Sequence, residues 1–391
     1  MSSFPSPRAT LTIAPAAHVA LRSGLAVIEP ADPIWDTFVQ QHPHGHLLQS
    51  SPWGTLKTRF GWTRRCVGVA GARGLLAGAQ MLLRHRLGLS VAYVPRGPLW
   101  SGDTEVDALL LMILGRVARR ARAVFLRLEP NMLEDDPAAD ERHSFLLLQG
   151  FQPAEPLQPR SSLHLNLAPE PARLLAALSK GHRADIRRAE RAEVVVRVGT
   201  SQADLDAFYT IMQATSARAG FAIHTRAYYQ TAWELLRAPA QQHTAADHAT
   251  TPARLVGDAA LLLAERDGVA LAAFLIFAWA GVGLYLYSGS TDEGLRSGAN
   301  HALQWHALLW AQERGCTSYD FWGIPDSFGQ AAATSDATER ARLEAAAQAD
   351  PLHGVFRFKK GFGGQIVRYL PAYDQVYMPA LYRFWQRRFG A

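Results

Sequence analysis

Leu89-Ser90-Val91-Ala92-Tyr93-Val94-Pro95-Arg96-Gly97-Pro98 opens a unit that the chain repeats, and that repeat decides the fold. The alternation of Leu89, Val91 and Tyr93 reads as a strand that runs into a Pro/Gly turn. A helical pattern from Glu105 to Ala121 follows, then a short strand from Val124 to Glu129. The same order returns as a strand from Leu284 to Tyr287, a Gly/Ser/Asp turn, a helix from Gly298 to Arg314 and a strand from Ser318 to Gly323. The offset is 194 residues both from Tyr93 to Tyr287 and from Val124 to Ser318, so two copies of one strand–loop–helix–strand unit are predicted. Ahead of the second copy, Ala259 to Glu265 and Val269 to Ala278 read as strands joined by the turn Arg266-Asp267-Gly268. An antiparallel meander entering a crossover helix is an α/β (α+β) layout, distinct from a doubly wound nucleotide fold.

Working outward, 391 residues with 48% apolar and 19% charged residues suit a globular chain of two domains. No apolar run is long enough to span a membrane, since Ala108 to Leu114 is soon followed by Arg116, Arg119 and Arg120. Met1 to Gly24 reads as a poorly ordered lead-in, and its Pro5, Pro7 and Arg8 argue against a secretory signal. Cys66 and Cys316 stand too far apart in sequence for a disulfide framework or a zinc motif, so a cytoplasmic protein is expected. There is no dinucleotide fingerprint and no Gly-Lys-Ser/Thr phosphate loop, and no cofactor is expected. His42, His44 and His46, spaced by Pro43 and Gly45, read as a solvated loop and not as a metal site. Ser288-Gly289-Ser290 lacks the nucleophile-elbow pattern. Ala238 to Arg254 and Ala331 to Asp350 read as loops or insertions, the second able to form a short mobile helix; neither has the heptads of a coiled-coil arm.

Charge is more informative. From Phe356 to Ala391 there are seven basic residues and one acid, which equals the whole chain's excess of +6. Such an end suits a phosphate-bearing partner or is a solvated tail. Of 40 basic residues only Lys57, Lys180, Lys359 and Lys360 are lysine. Where arginine fills nearly every cationic position, the exceptions mark places where a compact ammonium on a narrow stem is needed.

Four segments carry candidate chemistry. In Gln49-Ser50-Ser51-Pro52-Trp53-Gly54-Thr55-Leu56-Lys57, a serine cap and Pro52 start a helix that buries Trp53, Leu56 and Phe60 and leaves Lys57 at the edge of the stripe. Tyr93 to Pro98 forms a stiff loop in which Gly97 permits close approach of a ligand. Arg183, Arg187 and Arg191 repeat every four residues behind Lys180, either along a nucleic-acid backbone or as a face paired with Asp185 and Glu190. Val355 to Lys359 alternates as a strand would and runs into Lys360-Gly361-Phe362-Gly363-Gly364, a group suited to holding an oxyanion or phosphate.

Together these segments resemble the FemABX aminoacyltransferases, which attach amino acids from aminoacyl-tRNA to the stem peptide of peptidoglycan precursors. The resemblance runs from about Phe38 to Trp385. It rests on Gln49-Ser50 with Trp53 and Lys57, Tyr93 to Pro98, the Arg183 to Arg191 helix, Tyr287-Ser288-Gly289-Ser290, Gln304-Trp305 with Gly315-Cys316, Tyr319-Asp320-Phe321, and Phe358 to Gly364.

The resemblance implies two GNAT-like domains in tandem without a coiled-coil arm: residues 25–157 with a returning segment, 365–391, and residues 158–364. It places the muropeptide against Lys57, Tyr93, Tyr228, Tyr287 and His224, the last standing where the family has an arginine. An aspartate expected just after the Pro-Arg-Gly-Pro turn is replaced by Ser101, with Asp103 two residues on. Lys359 takes the transition-state position beside the backbone of Phe358, and aminoacyl-tRNA is expected along Lys180, Arg183, Arg187 and Lys360. The implied partners are aminoacyl-tRNA and a nucleotide- or lipid-linked peptidoglycan precursor. The protein is expected to be a monomer that does not insert stably into membrane and touches the membrane's inner face at most transiently. The alternatives are an acyl-CoA-dependent N-acyltransferase, for which Arg296-Ser297-Gly298-Ala299 is a partial pyrophosphate loop, and a non-catalytic muropeptide- or RNA-binding protein.

Overall fold

The computed structural model of the protein describes residues 24–237 and 257–389. The lead-in before Gly24 and the Ala238 to Arg254 insertion lie outside the described residues. The first half runs β1 (Ala26–Ile28), α1 (Asp32–Gln41), α2 (Ser51–Arg59), β2 (Thr63–Gly71), β3 (Gly74–Arg86), β4 (Leu89–Val94), α3 (Thr104–Arg120), β5 (Ala123–Leu128), α4 (Ala139–Leu148) and β6 (Gln152–Ala154). The second begins with β7 (Ser161–Asn166), α5 (Pro171–Ala177), α6 (Lys180–Arg191), β8 (Val195–Val198), α7 (Gln202–Ala219) and α8 (Arg226–Leu236). It continues with β9 (Asp258–Arg266), β10 (Val269–Trp279), β11 (Val282–Ser290), α9 (Asp292–Ser297), α10 (Ala299–Glu313) and β12 (Ser318–Asp320). Then come α11 (Asp326–Ala333), α12 (Ala337–Ala349), α13 (His353–Lys360), β13 (Gln365–Arg368), β14 (Ala372–Val376) and α14 (Pro379–Phe389).

The repeat seen in the sequence is a repeat of topology. One sheet has the order β1-β2-β3-β4-β5-β14-β6 and the other β8-β9-β10-β11-β12-β7-β13. Each sheet has an antiparallel meander followed by one parallel pair, β4 with β5 and β11 with β12, joined by the crossover helices α3 and α10. In α3, Asp103 accepts from the Glu105 and Val106 amides, Val106, Leu110 and Leu114 are buried on the sheet, and Arg119 and Arg120 complement the negative end of the helix dipole. The fold is therefore mixed α/β with two GNAT-like halves, as the sequence implied.

The C-terminal return is shorter than expected. Gln365 to Arg368, assigned from sequence to the first domain, pairs with β7 at the edge of the second sheet, and only β14 crosses back to sit between β5 and β6. The crossing is fixed by chemistry: Arg127 on β5 donates to Asp374 on β14 at 2.8 and 2.7 Å, and Tyr382 donates to the same carboxylate at 2.7 Å.

Two local expectations are overturned. Val355 to Lys359 is part of helix α13, not a strand. Five alternating residues suit either period, and tertiary partners decide: Phe356 stacks on Phe328 at 3.9 Å and Phe358 packs on His301 and Phe362. The histidine loop is only partly solvated: Pro43 is exposed and His42 and His44 are half-buried. His46 is buried, its Nδ1 accepts from the Leu48 amide, and burial drives its pKa to about 3; His42 is lowered for the same reason. Ala331 to Asp350 contains the end of α11 and all of α12. Among the described residues no group of three His, Cys, Asp or Glu side chains is placed to hold a metal.

Candidate active site

The site begins with an irregularity in β11. Leu275 pairs with Tyr287 and Phe277 with Leu284, so β11 carries one residue more than β10 across this span. In an unbroken strand Tyr285 and Tyr287 would share a face. The bulge separates them: Tyr285 packs on Phe274 at 4.8 Å in one core, and Tyr287 on Tyr229 at 5.1 Å in the other.

Just there the parallel pair comes apart. Strands β11 and β12 bond only from Val282 to Leu284 and from Ser318 to Asp320; β11 continues to Ser290, while Phe321 and Ile324 turn their amides to Leu163 and Ser161 on the β7 side. Lys359, from the last turn of α13, fills the opening. Its Nζ donates to the carbonyls of Trp322 at 3.1 Å and Gly323 at 2.6 Å and lies 5.8 Å from the centre of the Tyr285 ring. With three hydrogens, an ammonium held by two carbonyls retains one for a ligand. Burial lowers its pKa to about 7, opposed by the Asp320 carboxylate. Burial alone would raise Asp320, but His164, Ser162 and Arg96 hold it well below the usual carboxylate range. Trp322 and Arg96 both have left-handed backbone, at φ of 63° and 48°, a strained conformation that concentrates at functional sites. Arg96, from the Pro-Arg-Gly-Pro loop of the first half, lies over the Tyr369 ring at 3.8 Å and the Trp322 ring at 5.3 Å. The two halves thus jointly build the wall that holds the ammonium.

Four expected binding residues meet on the α7 and α8 side of the opening. Ser50 caps α2, Trp53 and Leu56 are buried, and Lys57 reaches across the halves to donate to the Tyr228 hydroxyl at 2.8 Å. Tyr287 donates to the same oxygen. His224 stacks on Tyr228 at 3.8 Å. Burial, then repulsion from Arg84, lowers Lys57 to about 8; burial, then Lys57, lowers His224 to about 4. At neutral pH the cluster therefore has a cation at Lys57 and a neutral ring at His224.

Tyr93 and Asp103 are placed differently. Tyr93 is buried with its hydroxyl donated to Glu129 and accepting from Gln158 at 3.0 Å, and Trp62 lies 6.5 Å from its ring. Asp103 is the exposed cap of α3. Sequence reasoning missed Glu129, whose partners Tyr93, Leu157 and Gln158 are remote in the chain, and whose pKa is raised by burial despite these hydrogen bonds. Tyr285 and Asp320 were also missed as site residues, although Tyr285 lies just before the Tyr287 motif and Asp320 lies within Tyr319-Asp320-Phe321.

On the α6, α10 and α13 side lies a cavity of about 850 Å³ lined by Tyr285, Ser288 to Ser290, His182, His301, Phe358 and Lys360. The Phe358 carbonyl accepts from His182 Nε2 at 2.7 Å. Gly361 is required because a Cβ there would come within 1.9 Å of the His182 ring. His301 lies 3.3 Å from Asp185, with its pKa lowered to about 4 by burial and by His182 against the pull of Asp185. Of the expected tRNA contacts, Lys180, Arg187 and Lys360 are exposed, while Arg183 turns back to donate to the Ala176 and Leu178 carbonyls at the end of α5. Arg188 pairs with Asp185 at 2.9 Å, so the arginine helix is partly an ion-paired face.

Comparison with known proteins agrees with this architecture. The chain is similar to the lipid II:glycine glycyltransferase of Staphylococcus saprophyticus, 23% identical over 90% of this chain and 93% of the relative, and to that of Staphylococcus aureus, 23% identical over 89% and 92%. Among solved structures, the crystal structure of FemX superimposes with a TM-score of 0.73 at 20% identity, over 92% of this chain and 99% of that one. L-PGS from Bacillus licheniformis follows more loosely, with a TM-score of 0.51 at 14% identity, over 93% and 97%. The FemAB family model matches residues 32–241 and 239–387, nearly everything described above, and the chain belongs to the FemAB family.

Proposed function

We propose that this FemAB-family chain is an aminoacyltransferase that moves an amino acid from aminoacyl-tRNA to an amine of a peptidoglycan-precursor stem peptide, forming an interpeptide bridge. The observation that carries the reading is the buried Lys359 ammonium beside Tyr285, a residue that also lines the cavity, while Tyr287 of the same strand turns the other way into the cluster with Lys57, Tyr228 and His224. The donor's acyl end enters from the cavity and the acceptor from the cluster.

An aminoacyl ester is already activated, so the chemistry needs no ATP. The acceptor amine attacks the ester carbonyl, the C–N bond forms, and negative charge gathers on the former carbonyl oxygen. When the C–O bond breaks, the ribose hydroxyl of the tRNA leaves and takes up a proton in place of the one lost by the amine. A fixed ammonium aimed at the oxyanion stabilises this transition state more than the ground state, and one such donor contributes roughly 2.7–4 kcal/mol. Lys359 supplies it, held by carbonyls that cannot follow it into solvent. The α13 turn that carries Lys359 is pinned by His182 at Phe358.

Lys57 is assigned to binding of the acceptor muropeptide. Lys57→Ala is expected to weaken binding of a nucleotide-linked muropeptide, read by calorimetry; equal affinity removes Lys57 from the site. The wild-type affinity should fall as pH rises through about 8, where the free protein loses the Lys57 charge. Contacts to tRNA phosphates release counterions, so transfer should slow as salt rises; a flat response favours a small-molecule donor. The reaction itself is tested by mass spectrometry of the muropeptide after incubation with charged tRNA or acyl-CoA. Gain of one aminoacyl residue from charged tRNA supports the proposal. Gain from acyl-CoA alone, or no gain, overturns it.

A further inference from the structure

We propose that the end of the first sheet bearing α14 is a docking surface for an anionic lipid bilayer. Three segments meet there: the β3–β4 turn, the α3–β5 turn and α14. Backbone bonds from Ser90 to the Arg122 carbonyl and from Tyr377 to the Val124 carbonyl tie them together, and Tyr382 and Trp385 of α14 pack on Phe125.

What this end shows to solvent is both apolar and cationic. With Tyr382 turned inward, α14 leaves Phe384 68% and Leu381 42% exposed, three residues apart on one outer ridge. At the β3–β4 turn, Leu87 is 94% exposed with φ of 51°, followed by Gly88 at 74°. A two-residue turn with both angles positive favours Asn-Gly, so a leucine here is strained and gains nothing from burial. Around these side chains stand the exposed Arg86, Arg122, Arg383 and Arg387. No Asp or Glu occurs from Arg84 to Val94, from Gly115 to Leu128, or from Gln375 to Ala391. Among the described residues no helix is long and apolar enough to cross a membrane.

Exposed large apolar side chains among unopposed arginines match a negatively charged headgroup layer with hydrocarbon beneath it, in the manner of interfacial helices. An RNA backbone would use the arginines but leave Leu87 and Leu381 without a partner. The surface also borders the acceptor cluster: Arg84 lies over Trp62 at 5.6 Å and acts on the charge of Lys57. The inference stands on this surface alone, whether or not the proposed transfer holds.

The test is sedimentation of the full chain with phosphatidylglycerol-containing vesicles and with pure phosphatidylcholine vesicles, at low and high salt. The wild type is expected to pellet with the anionic vesicles and to be released by salt. Combined Leu87→Asn, Leu381→Ser and Phe384→Ser substitutions should weaken binding roughly tenfold or more with no fall in melting temperature, since asparagine suits the turn and the other two are exposed. The proposal is overturned by absence of vesicle binding, by equal binding to both lipids, by undiminished binding of the variant, or by a variant that keeps its vesicle affinity and loses affinity for tRNA.

Discussion

Asp374→Asn is expected to destabilise the protein by about 3–5 kcal/mol in urea unfolding. Asp374 is fully buried, and it receives two hydrogen bonds from Arg127 and one from Tyr382. Removing its charge leaves a guanidinium that is almost as buried, lying over the Phe125 and Trp385 rings. The cost comes from that stranded charge more than from the lost attraction. A double replacement, Arg127→Met with Asp374→Leu, should therefore recover most of the loss, because a buried ion pair contributes little against well-packed apolar groups. If the single and double variants are equally destabilised, a stranded Arg127 charge is not what makes the loss of Asp374 costly.

Lys359→Met should slow turnover on the order of a hundredfold or more and at the same time raise the melting temperature. Lys359 titrates near 7 in the folded chain, against 10.5 for an unperturbed lysine. Between those values the unfolded chain holds more protons, so this residue makes folding more favourable as pH rises from about 7, and below 7 it imposes its full cost. Methionine fills a similar volume without a charge. The gain should be largest at and below pH 7, and the pH dependence of stability between 7 and 10.5 should flatten. A variant that is slower but less stable would show that the lysine holds the fold together; one that is more stable and still fast would remove it from the chemistry.

The duplication was legible because it resides in local pattern, with a Pro/Gly or Gly/Ser turn between strand and helix at a constant offset. Lys57 and Lys359 stood out because lysine is scarce in a chain that otherwise uses arginine. The features that complete the site are not local. The β11 bulge exists only relative to β10, so nothing in Leu284 to Ser290 announces that Tyr285 and Tyr287 face opposite ways. Helix α13 alternates like a strand and is decided by Phe328, His182 and His301. The Tyr93 hydroxyl is committed to Glu129, which the connection between β6 and β7 reaches through the Leu157 and Gln158 amides. The edge strand Gln365 to Arg368 belongs to the second sheet because β7 offers it a partner, a choice its own residues do not encode.

The central claim is that the Lys359 ammonium, in the gap between β11 and β12, stabilises the oxyanion of transfer without contributing to acceptor binding. It is tested most directly by measuring, on the same preparations of wild type and Lys359→Met, muropeptide affinity and the single-turnover rate with saturating charged tRNA. The account predicts matching affinities and a rate lower by about two orders of magnitude. Matching rates, or a rate loss fully explained by lost affinity, would contradict it.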